Sequence, residues 1–297
     1  MFHCYPRLLA GFCFLYASSL CHGQEIYVTI PPLKYFVQEI TAEAQNVGVV
    51  LAPGQNPHSY SPSAKQIASL TRAKLLFTTG VPFEEHFISK IKGNSSTLKI
   101  IPTDEKLPKR KFTHHEAHDH DHHHHHDHKG NCIHADWDPH IWMSPQLAIK
   151  QSQAILDALV IWKPSKKEVY QANFKALEKE LNTLHDFLAT ELSPLKGSSL
   201  YVYHPAFGYF ADAYGLEQKA IEVQGKQPTA KQLKTLIEQA KSDRAQVIFV
   251  QKQFPTSSAQ TVADAIQGVV IPLDPLSADY LSTLKKIGTT ISKNFTK

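Results

Sequence analysis

Residues 165–192, SKKEVYQANFKALEKELNTLHDFLATEL, decide the architecture. Tyr170, Phe174, Leu177, Leu181, Leu184 and Leu188 recur at three- and four-residue steps, which puts them on one stripe of a single helix of about seven turns. Pro164 precedes the run and Pro194 follows it, punctuating both ends. On either side the pattern changes. Before the helix, short β-rich runs stand at Ile26–Ile30, Val49–Ala52, Leu75–Thr78 and Leu98–Ile101. After it they return at Leu200–Tyr203, Val247–Val250 and Val269–Ile271. Helical patterns lie between them: Leu33–Asn46 is amphipathic, and Ser61-Pro62-Ser63 reads as a helix start with a polar cap and an early proline. Strands separated by helices of this length predict βα units in mainly parallel sheets. The simplest organisation is two α/β lobes, 24–163 and 195–297, each a sheet flanked by helices, joined by one long rigid helix over 164–194. A single larger α/β domain is the alternative.

The chain has 297 residues, of which 42% are hydrophobic and 20% charged, so whole-chain disorder is excluded. Its formal charge of +4, from 31 Lys+Arg against 27 Asp+Glu, is too diffuse for a nucleic-acid binder. Arg7 followed by the apolar run Leu8–Leu20, too short to span a bilayer, predicts a signal peptide over 1–23, cleaved after Gly23. A lipid anchor on Cys21 is the alternative, although Leu20 stands where such sites want a small residue. No later apolar run approaches a membrane span, which predicts a soluble, periplasmic mature protein. Removing the leader takes Cys4, Cys13 and Cys21 with it and leaves Cys132 alone, either free or engaged in metal handling.

Of 18 histidines, ten fall in one segment, the predicted loop 112–130: His114, His115, His118, His120, His122, His123, His124, His125, His126 and His128. Asp119, Asp121 and Asp127 interrupt them. Such a stretch has no apolar face to bury, and many imidazoles on a tether bind zinc, copper or nickel loosely. Imidazole ligates only when neutral and its reference pKa is about 6.5, so this binding should weaken in mild acid.

Three further histidines sit beside prolines in turns or after strands: His58 in Asn56-Pro57-His58, His140 in Asp138-Pro139-His140, and His204 in Tyr203-His204-Pro205. Prolines restrict the backbone, and in parallel α/β sheets ligands bind beyond the carboxyl ends of strands. Spacing alone does not show that the three converge. No H-E-x-x-H, P-loop, G-x-S-x-G or G-x-G-x-x-G is present, since His115-Glu116-Ala117-His118 is one residue too short for the first.

In combination the motifs resemble the zinc- and manganese-binding solute-binding proteins of bacterial ABC transporters, the ZnuA/TroA-like family. They are Thr29-Ile30-Pro31-Pro32-Leu33, Pro57-His58-Ser59-Tyr60, Gly80-Val81-Pro82-Phe83-Glu84-Glu85, the acidic His-rich insertion, Asp138–Pro145, His204-Pro205-Ala206-Phe207 and Leu273-Asp274-Pro275-Leu276. They run in the family's order along nearly the whole mature chain. The resemblance implies one metal ion clamped between two lobes, with His58 and His140 from the first lobe and His204 and Asp274 from the second. Asp274-Pro275 also reads as a simple turn. Some zinc-specific relatives use a carboxylate beside the first histidine, or water, and here Pro57 stands in that neighbouring place.

Three imidazoles and a carboxylate fill a tetrahedral zinc shell, which argues for carriage over catalysis and for Zn2+ over Mn2+. The protein is therefore expected to be no enzyme but a monomeric receptor, delivering zinc to an ABC permease in the inner membrane, with the His-rich loop as accessory. Asp136, Asp138 and Tyr203 are candidates for supporting the ligands. A metal buffer or adhesin uncoupled from transport, and a manganese-preferring receptor, remain open; a metallohydrolase lacks its motifs.

Overall fold

The computed structural model describes residues 24–43, 47–93, 95–112, 137–222 and 226–295. The leader segment, the ten clustered histidines, Cys132 and Asp136 lie outside the described residues.

The first lobe is a four-stranded sheet of β1 (Ile26–Val28), β2 (Val47–Val49), β3 (Leu75–Thr78) and β4 (Lys99–Pro102), in the order β2-β1-β3-β4. All its pairings are parallel, with Ile26 opposite Val47 on one side and Leu75 on the other. The second lobe repeats the plan with β5 (Ser199–Val202), β6 (Glu217–Ala220), β7 (Val247–Gln251) and β8 (Val269–Leu273), in the order β6-β5-β7-β8 and again all parallel. The inner strands β3 and β7 are buried along their whole length, while the edge strands β4 and β8 expose several positions, as expected of sheets covered on both faces.

Nine helices complete the described chain: α1 (Pro31–Thr41), α2 (Ala64–Leu70), α3 (Phe83–Lys92), α4 (Pro145–Trp162), α5 (Lys167–Leu192), α6 (Gly208–Tyr214), α7 (Ala230–Ser242), α8 (Ser257–Ala265) and α9 (Tyr280–Phe295). Helix α1 begins on its two prolines, which lack only N–H groups that a first turn leaves unbonded anyway. It stops before the expected Asn46, at Ala42, where φ turns to +56°. Strand β2 accordingly lies two residues earlier than expected, although Val50 and Leu51 still donate to the carbonyls of Val28 and Thr29 at 2.9 and 3.0 Å. Helix α2 starts after Ser63, whose hydroxyl accepts from Gln66 N–H while the Gln66 amide caps Ser63 in return.

Helix α5 buries Tyr170, Phe174, Leu177, Leu181, Leu184, Leu188 and Leu192, the expected stripe extended by one residue. Short 3-10 turns at Pro164–Lys166 and Ser193–Leu195 frame it. The stripe packs against α1, α4 and α9, so α5 joins the lobes by lying in a core common to both. Phe36, Trp142, Phe207 and Tyr280 belong to that same core. Trp142 also ties the lobes by hydrogen bonds: its indole donates to Pro275 O at 2.8 Å and its carbonyl accepts from the Tyr280 hydroxyl at 2.6 Å. Where α9 crosses α5, a Cβ on Gly288 would stand 2.2 Å from Leu188 Cδ2. Leu188 is fully buried, so its side chain yields only by repacking the core around it. Gly288→Ala is therefore expected to lose stability by about 1 kcal/mol net, overpacking exceeding the gain in helix propensity, as read from urea denaturation. No helix among the described residues is long and apolar enough to cross a membrane.

Candidate metal centre

His204 follows β5 at the point where the strand order reverses between β5 and β7, the usual ligand position in an open parallel sheet. Its neighbours leave it little freedom. The Gln251 side chain at the end of β7 accepts from His204 N–H at 3.2 Å and donates to His204 O at 2.7 Å. The ring stacks on Phe254 with centroids 4.6 Å apart and planes 14° from parallel. Its Nδ1 lies 3.1 Å from Glu222 Oε1, in the turn after β6.

His140 is built by similar means from the other lobe. Asp138 Oδ1 accepts both the backbone N–H of His140 at 2.9 Å and its ring Nδ1–H at 2.8 Å. His58 lies on the loop after β2, where Asn56 Oδ1 accepts its backbone N–H at 2.8 Å and closes a local turn. His140 and His204 are buried and His58 is half-buried.

These three rings meet. His58 Nε2 is 2.9 Å from His204 Nε2, which is 3.4 Å from His140 Nε2. An ionised carboxylate only accepts, so Asp138 and Glu222 place the ring protons of His140 and His204 on Nδ1 and leave their Nε2 atoms as lone pairs. Burial, reinforced by the neighbouring histidines, pushes the His58 and His204 imidazoles well below their ordinary pKa, so both are neutral at physiological pH. The His140 and His204 lone pairs face one another at 3.4 Å and repel, and a cation beside them turns repulsion into ligation, with His58 Nε2 in reach as a third donor. Among the described residues this is the one group of three or more histidine, cysteine or carboxylate side chains whose ligand atoms come within 4.8 Å of one another.

Asp274 is not in that group. Its Oδ1 accepts from Gln253 Nε2 and from Leu276 N–H, both at 3.2 Å, and Lys252 Nζ stands 3.7 Å from Oδ2. The Leu276 bond makes it the turn-former that Asp274-Pro275 also suggests. Tyr203 is buried with its ring against Phe254. The described ends of the histidine-rich segment meet at this site: Lys111 pairs antiparallel with Trp137, and Asp138 N–H donates to Arg110 O at 2.8 Å. The Lys111 ammonium sits 5.1 Å over the Trp137 ring.

Glu222, Gln251, Phe254 and Arg110 escape the sequence reading. Glu222 follows β6, whose Glu-Gln-Lys-Ala composition carries no strand signal, and the other three stand in no motif.

Two all-parallel lobes joined by one long helix, with histidine nitrogens converging from both, define a two-lobed α/β protein with a candidate metal site between its lobes. Comparison with known proteins agrees. Residues 26–294 match the family described as ZnuA, zinc-uptake complex component A periplasmic, and the chain belongs to that family. It is 30% identical to the zinc-binding lipoprotein AdcA of Streptococcus pneumoniae (strain R6) over 309 aligned positions, covering 94% of this chain but 58% of that protein. The chain thus spans little more than half the length of that relative. Against the high-affinity zinc uptake system protein ZnuA of Yersinia pestis it is 29% identical, covering 85% of this chain and 83% of that one. A crystal structure of ZnuA superposes with a TM-score of 0.81 at 32% identity, covering 91% of this chain and 98% of that one.

Proposed function

We propose that the protein is the extracytoplasmic receptor of a metal ABC importer, capturing Zn2+ between its lobes with His58, His140 and His204 and handing it to a membrane permease. The observation that carries this reading is the convergence of the three Nε2 atoms. Zinc–nitrogen bonds of 2.0–2.1 Å at a tetrahedral angle separate the nitrogens by about 3.3 Å. The observed separations of 2.9 and 3.4 Å bracket that value. Neutral imidazoles suit zinc better than the harder Mn2+, and the names of the related zinc-binding and zinc-uptake proteins point the same way. The family description and the leader-like first 23 residues support a periplasmic position. The clustered histidines then act as an accessory store.

Titration of the chain lacking residues 114–128 with Zn2+ against a competing chelator, repeated with Mn2+, tests the reading. One tight zinc per chain with far weaker manganese is expected. Loss of all tight binding would instead favour a metal buffer based on the His-rich segment. Asp274 is the proposed occupant of the fourth position, and to reach the ion it must leave Gln253 and Leu276. Asp274→Ala is therefore expected to weaken zinc only a few-fold in the same competition assay, since water replaces a carboxylate that ligation itself strains. Zinc at a hundred times its Kd should add about 2.7 kcal/mol to stability, seen as a higher Tm that chelator removes.

A further inference from the structure

The carboxylate behind His140 is itself held by a residue that also reaches the opposite lobe. Asp138 is fully buried, with Oδ1 committed to His140 and Oδ2 facing Arg110 Nη1 at 3.5 Å. Arg110 Nε donates to Asp212 Oδ2 on α6, at 3.1 Å. The backbone of Arg110 is fixed as well: its N–H donates to the Tyr209 hydroxyl at 2.8 Å, and its carbonyl takes Asp138 N–H. Gly208, the first residue of α6, makes room for the crossing. A Cβ there would stand 2.4 Å from Asp138 Oδ2 and 2.6 Å from Arg110 Cζ. One guanidinium, with 12% of its side chain exposed, thus reaches from a ligand's supporting carboxylate in the first lobe to a helix of the second.

We propose that Arg110 is a positioning residue for the metal site, a strut across the cleft that holds the Asp138–His140 pair in ligating orientation while the lobes are together. The inference rests on the metal-receptor reading above. A buried carboxylate needs an opposite charge as well as hydrogen bonds, and its second oxygen finds that charge in Arg110. A planar fork offers donors in fixed directions to both carboxylates, which a compact ammonium does not, so lysine is a partial substitute. Without the strut, Asp138 turns toward other donors and His140 Nε2 loses its fixed aim. Partners of this kind are worth about 10–100-fold in metal affinity.

The test uses the full chain, with enough chelator present to keep weakly held zinc off the His-rich segment. Zn2+ affinity and release rate are measured for wild type, Arg110→Gln, Arg110→Lys and Asp212→Asn, and the visible spectrum of the Co2+ form is recorded for each. Arg110→Gln is expected to bind zinc about 10–100-fold more weakly, through faster release, and to shift the Co2+ bands. Arg110→Lys should fall between it and wild type. Asp212→Asn changes a side chain 60% exposed and should leave the fold intact. It should weaken zinc a few-fold, less so at high salt. A purely structural role moves stability but neither the Co2+ spectrum nor the affinity of the folded protein. Wild-type affinity and spectrum in Arg110→Gln overturn the proposal. If that variant does not fold, unchanged values in both Arg110→Lys and Asp212→Asn overturn it. Absence of a tight zinc in wild type overturns the receptor reading and this inference together, whereas tight zinc in every variant overturns this inference alone.

Discussion

His204→Ala is expected to weaken zinc binding on the order of a hundred- to a thousand-fold in the chelator competition assay while leaving a folded protein. A tetrahedral protein site holds Zn2+ with about 10–16 kcal/mol, so one ligand of four carries about 2.5–4 kcal/mol, and each 1.4 kcal/mol is tenfold. His204 should sit at the upper end because none of its binding energy goes into ordering the ring. Gln251 fixes its backbone in both directions, Phe254 fixes its plane and Glu222 fixes its tautomer. Glu222→Gln sharpens the point without removing a ligand. Its amide can donate to Nδ1, which drives the ring proton to Nε2 and removes the lone pair that faces the ion. A loss of about 10–100-fold follows for that variant. His58, half-buried and held by Asn56 alone among the bonds described above, should lose less on truncation than His204. Near-wild-type zinc affinity in His204→Ala would mean that the tight site lies elsewhere.

The order of that expected ranking comes from the structure, yet its members were mostly legible beforehand. Local pattern exposes whatever a residue shares with its chain neighbours. The stripe from Tyr170 to Leu188 is such a case, and it lies buried on α5 because a 3.6-residue period can satisfy only one face. The prolines beside His58, His140 and His204 are another, marking restricted turns. What pattern does not carry is pairing at a distance. Glu222 meets His204 only because β6 lies next to β5, and Gln251 only because β7 lies on its other side. Strand β6 itself, reading Glu-Gln-Lys-Ala, is extended because β5 offers it a ladder and not because its residues prefer one. Arg110 is the extreme case, since its three carboxylate and hydroxyl partners come from positions 138, 209 and 212. Asp274 is ambiguous for a different reason: one dipeptide serves equally as a turn and as a ligand-bearing loop, and here its Oδ1 accepts from Gln253 and Leu276.

Glu84 sets the pH dependence that should be easiest to see in the metal-free protein. It lies at the start of α3, buried, and its carboxylate accepts the backbone N–H groups of Thr79 and Gly80 at 3.0 and 2.8 Å, bracing the turn after β3. Those bonds, with one from Thr29, draw its pKa down, while burial, helped by nearby Asp104, drives it up; burial wins and raises it from 4.5 to about 7. The folded protein therefore keeps this proton over a range where the unfolded chain has released it. In that window the native state binds more protons, so stability falls as pH rises. The contribution is complete below the unfolded value of 4.5 and is lost by the time pH has passed through the folded value of about 7. A separation of that size corresponds to about 3 kcal/mol at 1.36 kcal/mol per unit. Glu84→Gln presents a neutral amide at every pH and lacks this slope. Urea denaturation of both proteins with chelator present, at pH 4.5 and pH 8, isolates the effect, because the histidines and other carboxylates titrate alike in the two and cancel in the difference. The stability of wild type relative to the variant should drop by about 3 kcal/mol between the two pH values. A difference that stays constant, or grows with pH, would mean that the two backbone N–H bonds outweigh burial and that Glu84 braces its turn as an anion.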